Sequence, residues 1–164
     1  MRVPRSVIAA LAAAAVAAAI AVPLLVTGGD KPRLTKPQYS ARVWTTLTTL
    51  AADFRRAGPG RDNAQISSSL KAAKAAADRA AARIDRLRPP ADGEREHRAL
   101  VAELRDYAAQ IDLVRASVDF GDPATIIAHL QGITAPRAIK RTIRELDAKG
   151  YDIPIRLVEP RARG

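Results

Sequence analysis

The chain reads as an all-α protein: an antiparallel, up-down-up-down four-helix bundle behind an N-terminal transmembrane or signal helix. Three observations predict it. Four segments between residues 38 and 152 repeat apolar residues at spacings of three and four, joined by short Gly- and Pro-bearing connections. No segment alternates with period two and β-branched enrichment, as a sheet requires. Residues 7–26 hold no charged group and follow Arg2 and Arg5.

Val7, Ile8, Leu11, Val16, Ile20, Val22, Leu24, Leu25 and Val26 are the apolar side chains of that first stretch. At ~1.5 Å per residue a helix of this length matches the ~30 Å hydrocarbon core of a bilayer. A cleaved signal has a shorter apolar core of about 7–15 residues, so length favours an uncleaved anchor. Arg2 and Arg5 hold the amino end inside and leave a single-pass chain with its C-terminal domain extracytoplasmic; Lys31, Arg33 and Lys36 run against that orientation. The alternative is secretion after cleavage near Gly29, where Thr27 and Gly29 are small. Val26-Thr27-Gly28 resembles the approach to a lipidated Cys, but the next residue is Gly29, so no thioether lipid forms. Residues 1–29 are thus an anchor or signal, 30–37 a tether, 38–152 the bundle and 153–164 an extended basic tail.

Thr35-Lys36-Pro37-Gln38 combines an N-cap Thr, an early Pro and Gln at N3, a capping box. Tyr39, Val43, Leu47, Leu50 and Phe54 then form one face of a helix running to about Ala57, which Gly58-Pro59-Gly60 breaks. Asp62 and Gln65 repeat the capping spacing. Ile66, Leu70, Ala73, Ala77, Ala80, Ile84 and Leu87 make an Ala-rich seam that admits a close neighbour, ended by Pro89-Pro90. Asp92 is the expected cap of the third helix, with Glu94 and Glu96 in its first turn. Its stripe is His97, Leu100, Leu104, Tyr107, Ile111, Val114 and Val118. Gly121-Asp122-Pro123 reads as a stop, a cap and an N1 proline. Ile126, Ile127, Leu130 and Ile133 lead to Ile139, Ile143 and Leu146, with a kink or break expected because Pro136 clashes with the Gly132 carbonyl. Gly150 suits a left-handed C-cap with Tyr151 folding back. In the tail, Ile155, Leu157 and Val158 are the side chains that could pack on the bundle.

Composition narrows the chemistry. Of 164 residues 35 are Ala and none is Cys, which excludes disulfides, Cys-ligated metal and thiol catalysis. His97 and His129 stand alone, without a Glu-x-x-His or His-x-x-x-His pair, so no metal site is expected. Ser67-Ser68-Ser69 has no local base, and no Gly-rich phosphate loop occurs. Asp78, Asp85, Asp106 and Asp112 lie near Arg at helical spacing and read as surface pairs. Trp44, Tyr39 and Phe54 read as core, the alternative being a small pocket at one end. No catalytic residue and no cofactor is expected, and the protein is read as not an enzyme.

The net charge of +10 arises from 27 Lys and Arg against 17 Asp and Glu. Lys71, Lys74, Arg79, Arg83 and Arg86 on the second helix, with Lys140, Arg141 and Arg144 near the end, form the candidate contact face for anionic lipid or phosphate-rich wall polymer. Nucleic acid is not an expected partner, since no recognition motif or interleaved aromatics accompany the charge.

LTKPQYSARV, LRPPADGEREHRALVAEL, FGDPATI and RTIRELDAKGYDI, across residues 34–153, resemble a family of small actinobacterial secreted or membrane-anchored helical proteins, lipoprotein-like in character. The resemblance implies an envelope location and a bundle fold, but no activity. The missing lipobox Cys departs from it and shifts anchoring onto the first helix. The expected function is a membrane-tethered, extracytoplasmic bundle contacting an envelope protein, wall polymer or lipid surface. The alternative is a module holding a small apolar ligand or cofactor in its core.

Overall fold

The computed structural model describes residues 32–58 and 60–154. The anchor residues 7–26 and the tail residues Ile155, Leu157 and Val158 lie outside that range. Five α-helices follow in order: α1 Lys36–Ala57, α2 Asn63–Asp85, α3 Glu94–Phe120, α4 Pro123–Gln131 and α5 Ala135–Ala148, with a 3-10 turn at Ala91–Gly93 before α3. Among the described residues there is no strand, so the fold is all-α.

The helix starts obey local chemistry. Thr35 accepts from the Gln38 amide and the Gln38 side chain accepts from the Thr35 amide, the reciprocal capping box. At α2 the box is offset: Asp62 accepts from the Gln65 amide, but Gln65 Oε1 reaches the Arg61 amide instead. Asp122 caps α4 through the Ala124 and Thr125 amides, behind the left-handed Gly121 that closes α3. Ser69 donates to the Ala57 carbonyl at 2.8 Å, satisfying an orphan acceptor at the end of α1 from the next helix.

The fourth segment is divided, as Pro136 requires. α4 stops at Gln131, and Pro136 sits in the first turn of α5. The Thr134 side chain makes no cap bond. Gln110 of α3 takes that role, its Oε1 accepting from the Thr134 amide at 3.0 Å and the Ala135 amide at 3.2 Å. α5 ends in a Schellman-type turn: Gly150 has φ +81° and the Tyr151 amide returns to the Leu146 carbonyl.

α3 is the central helix, packing against α2, α4 and α5, while α1 packs on α2. Tyr39 and Val43 of α1, Ala76, Ala77, Ala80, Ala81 and Ile84 of α2, Leu100, Leu104 and Ala108 of α3, and Ile139, Ile143 and Leu146 of α5 form the core. Leu47, Phe54, Leu87 and Tyr107 pack against it partly buried, and Phe54 meets Tyr107 edge-on at 5.6 Å. The small methyls of α2 lie in its most buried turns, which is what close approach to α3 needs.

Three expectations are corrected. Asp92 does not cap α3: the cap is Gly93, with no side-chain bond, because the Asp92 carboxylate is drawn away to Lys36 and Tyr151. α2 ends at Asp85 rather than at the proline pair; Leu87 lies past the helix, though still against the core. α4 buries none of its residues, and Ile127 and Leu130 are about half exposed.

Candidate functional site

At about 100° per residue, Lys71, Lys74, Arg79, Arg83 and Arg86 are spread over the half of α2 opposite its buried Ala76, Ala77, Ala80, Ala81 and Ile84. Two of these charges are paired, Lys74 with Asp78 and Arg79 with Asp53. Lys140, Arg141 and Arg144 do share one strip of α5, opposite its buried Ile139, Ile143 and Leu146, and Arg137 joins them. Arg141 lies 4.0 Å from Glu103. The Glu103 carboxyl is pushed up by burial, opposed by the Thr142 hydroxyl that donates to it.

A polar cluster unforeseen in the sequence sits where the chain enters the helices. The starts of α1 and α3 and the end of α5 converge there. Lys36 Nζ bonds Asp92 at 2.7 Å and the Lys149 carbonyl at 2.6 Å, and lies 5.1 Å from the Tyr151 ring centre. The Tyr151 hydroxyl donates to Asp92 at 2.8 Å. Lys149 Nζ reaches the Asp92 carbonyl at 2.7 Å and Glu96 at 2.6 Å, and Arg95 takes the other Glu96 oxygen at 2.7 Å. Tyr39 stands between, edge-on to His97 and Tyr151, its hydroxyl 3.2 Å from His97 Nδ1. Gly93 is required beneath this cluster, since a Cβ there would overlap the Tyr151 phenol.

The charge states follow from these contacts. Asp92 is held below the usual carboxylate range by the Lys36 ammonium and then the Tyr151 hydroxyl. Burial alone would raise Glu96, but Lys149 and Arg95 outweigh it and hold the carboxyl low. The Tyr39 and Tyr151 hydroxyls are pushed up, foremost by burial. Burial also lowers His97. With its acceptors and donors mutually engaged, the cluster is suited to locking three helix ends together rather than to proton transfer.

The opposite end is apolar. Phe120 is 89% exposed, and Leu113, Ile127 and Leu130 are each at least half exposed. A cleft of about 420 Å³ lies between α3 and α4, lined by Leu113, Ala116, Ser117, Phe120, Asp122, Thr125 and His129. His129 Nδ1 lies 2.5 Å from Ser117 Oγ, and the Ser117 hydroxyl donates to the Leu113 carbonyl at 2.9 Å. The Ser117 hydroxyl thus lies between the Leu113 carbonyl and the His129 imidazole.

His97 and His129 do not converge. His129 bonds Ser117, twenty residues along α3 from His97, a separation of ~30 Å along the helix. No group of three or more metal-ligating side chains occurs among the described residues. Trp44, Tyr39 and Phe54 do not share a pocket either: Trp44 lines a groove with Pro37, Ser40, Ala41, Gly150, Asp152 and Pro154, while Tyr39 and Phe54 face different ring partners. No helix among the described residues is long and apolar enough to cross a membrane. No family model, no curated protein and no solved structure matches the chain.

Proposed function

We propose that the protein is a non-enzymatic, membrane-tethered extracytoplasmic bundle that contacts an envelope partner through the end remote from its tether. The observation that carries this reading is the exposed apolar surface of Leu113, Phe120, Ile127 and Leu130. Exposed apolar side chains grouped at one end of a water-soluble domain mark contact sites, and Leu113 and Phe120, seven residues apart on α3, share one cleft. It lies at the far end of α3, ~40 Å from the chain's entry at Lys36 by helix rise.

The up-down-up-down arrangement belongs to the same proposal. The order of cross-links supports it: His129 with Ser117, Thr134 with Gln110, Thr142 with Glu103 and Lys149 with Glu96 descend α3 as the later chain ascends. The uncharged run 7–26 behind Arg2 and Arg5 supports the tether and, with it, the envelope location. The anionic-surface role of Lys140, Arg141 and Arg144 draws support from their shared strip, and that of Lys71, Lys74, Arg79, Arg83 and Arg86 from their place on the half of α2 opposite its buried face, where Lys74 and Arg79 are paired with Asp78 and Asp53. The ligand-in-core alternative draws no support from the Ala seam, since Ala76, Ala77, Ala80 and Ala81 are all within 3% of full burial.

A photo-crosslinking amino acid placed at Phe120 in living cells tests the proposal. It is expected to yield a discrete adduct with an envelope component that the same probe at Lys71 does not yield. Identical patterns at both positions would refute a contact at the apolar end.

A further inference from the structure

The stretch of chain that builds the α3–α4 cleft has a charge opposite to that of the whole protein. Residues 106–134 hold four Asp and one Arg, a balance of −3, in a chain whose net charge is +10. Asp106, Leu113 and Phe120 recur at heptad spacing on α3, so they stand in one row about 21 Å long by helix rise. Ala116 lies beside that row, and Asp112 and Asp119 flank it. Asp122, which caps α4, lines the cleft past the end of α3.

These carboxylates are not all neutralised within the fold. Arg115 is shared between Asp112 at 2.8 Å and Asp119 at 2.7 Å. Lys74 of α2 lies within electrostatic reach of Asp112 but is bonded to Asp78 at 2.8 Å. Asp106 is exposed and accepts a bond from the uncharged Gln110 amide at 2.7 Å. Asp122 is exposed as well; the Thr125 hydroxyl, then the Ala124 and Thr125 amides, donate to it and hold it below the usual carboxylate range. Neither Asp106 nor Asp122 has a cation at ion-pair distance among the described residues. Two carboxylates therefore bracket the exposed Leu113 and Phe120 side chains.

Resting on the contact proposed for this end, we infer that the cleft receives a cationic amphipathic helix of a partner protein. Its apolar face sits against Leu113, Ala116 and Phe120, and its Lys or Arg side chains reach Asp106 and Asp122. Two packed helices leave a groove between them, and such a groove takes the apolar face of a third helix. The volume of about 420 Å³ suits inserted side chains. Charge decides among the occupants. Anionic headgroups and phosphate-rich polymer meet like charge here. The same end of a second copy would set acid against acid. A cationic segment meets opposite charge, which gives specificity and a faster encounter.

The test uses the full chain in phosphatidylcholine nanodiscs. The His129 ring signal in NMR reports on the cleft it lines, and His97, at the entry end, is the reference. The probes, added at fixed pH, are a short amphipathic helix of Leu and Lys, its Leu and Glu counterpart, and phosphatidylglycerol built into the discs. The expected result is a saturable His129 shift with the Leu–Lys peptide, His97 unmoved, and no shift with the other two. Asp106→Asn combined with Asp122→Asn removes both charges but keeps the Gln110 bond and the helix cap. That variant should bind the Leu–Lys peptide about fivefold more weakly, the size of two exposed ion pairs. No response to the Leu–Lys peptide, equal affinity for the two peptides, or a shift produced by phosphatidylglycerol overturns the inference. So does a shift that grows with protein concentration alone, which assigns a second copy, or unchanged affinity in the double variant. The two readings fail separately. A discrete in-cell adduct at Phe120 without a Leu–Lys preference refutes this inference alone. A Leu–Lys preference with identical in-cell patterns at Phe120 and Lys71 upholds the chemistry of the cleft and refutes the contact in the cell.

Discussion

The Glu96–Lys149 pair offers a quantitative perturbation, Lys149→Met. The Glu96 side chain is fully buried, and Lys149 Nζ is 2.6 Å from it. Breaking a fully buried ion pair costs about 3–5 kcal/mol, whereas an exposed pair contributes about 0–1 kcal/mol. Lys149 retains 33% exposure, and Arg95 still faces the other Glu96 oxygen. The expected loss is therefore about 2 kcal/mol, read as a lower urea midpoint at pH 7 with unchanged slope. The double variant Glu96→Met with Lys149→Met should recover most of it, because no charge is then left buried. The acid limb carries a second signature. The folded carboxyl titrates below its unfolded value, so its stabilisation is present above the unfolded range and lost as pH falls through the folded one. In Lys149→Met that limb should flatten. The reasoning is refuted if the single variant is as stable as wild type, or if the double variant is the less stable of the two.

Leu104→Ala should cost about 2–5 kcal/mol, since the side chain is fully buried in the core, and Arg105→Ala less than about 1 kcal/mol, since its bridge to Asp85 is exposed; urea denaturation compares them. Phe120→Ser should leave the melting temperature unchanged but reduce crosslinking from a probe at Leu113, which lines the same cleft. His97 titrates below its unfolded range because it is buried, so it destabilises the fold progressively as pH drops below about 6.5; His97→Gln should remove that component from the pH profile of stability.

The helices were legible because their signals are local. The capping box at Thr35, the Gly121-Asp122-Pro123 punctuation and the stripe from Leu100 to Val118 all act within a few residues. Pro136 likewise marked the division between α4 and α5. The polar cluster was not legible, because its partners are remote: Lys36 and the Lys149 carbonyl are separated by 113 positions. Glu96 read as a first-turn acid favoured by the helix dipole and Asp92 as a cap. Both assignments are sound for an isolated helix and are overridden by lysines arriving from α1 and α5. The exposure of Ile127 and Leu130 was hidden for a similar reason. Their spacing matches a buried stripe, but α4 is only nine residues long and, among the described residues, packs chiefly on α3. Gly93 gave no signal at all, since its need for a missing Cβ arises from Tyr151, far along the chain.

The central claim is that the chain remains attached to the membrane and presents its helical domain outside it. The most direct test is the intact mass of the native protein recovered from host membranes after alkaline carbonate extraction. The account predicts a carbonate-resistant species whose mass includes residues 7–26. A carbonate-soluble or secreted species whose mass begins at Asp30 would contradict it.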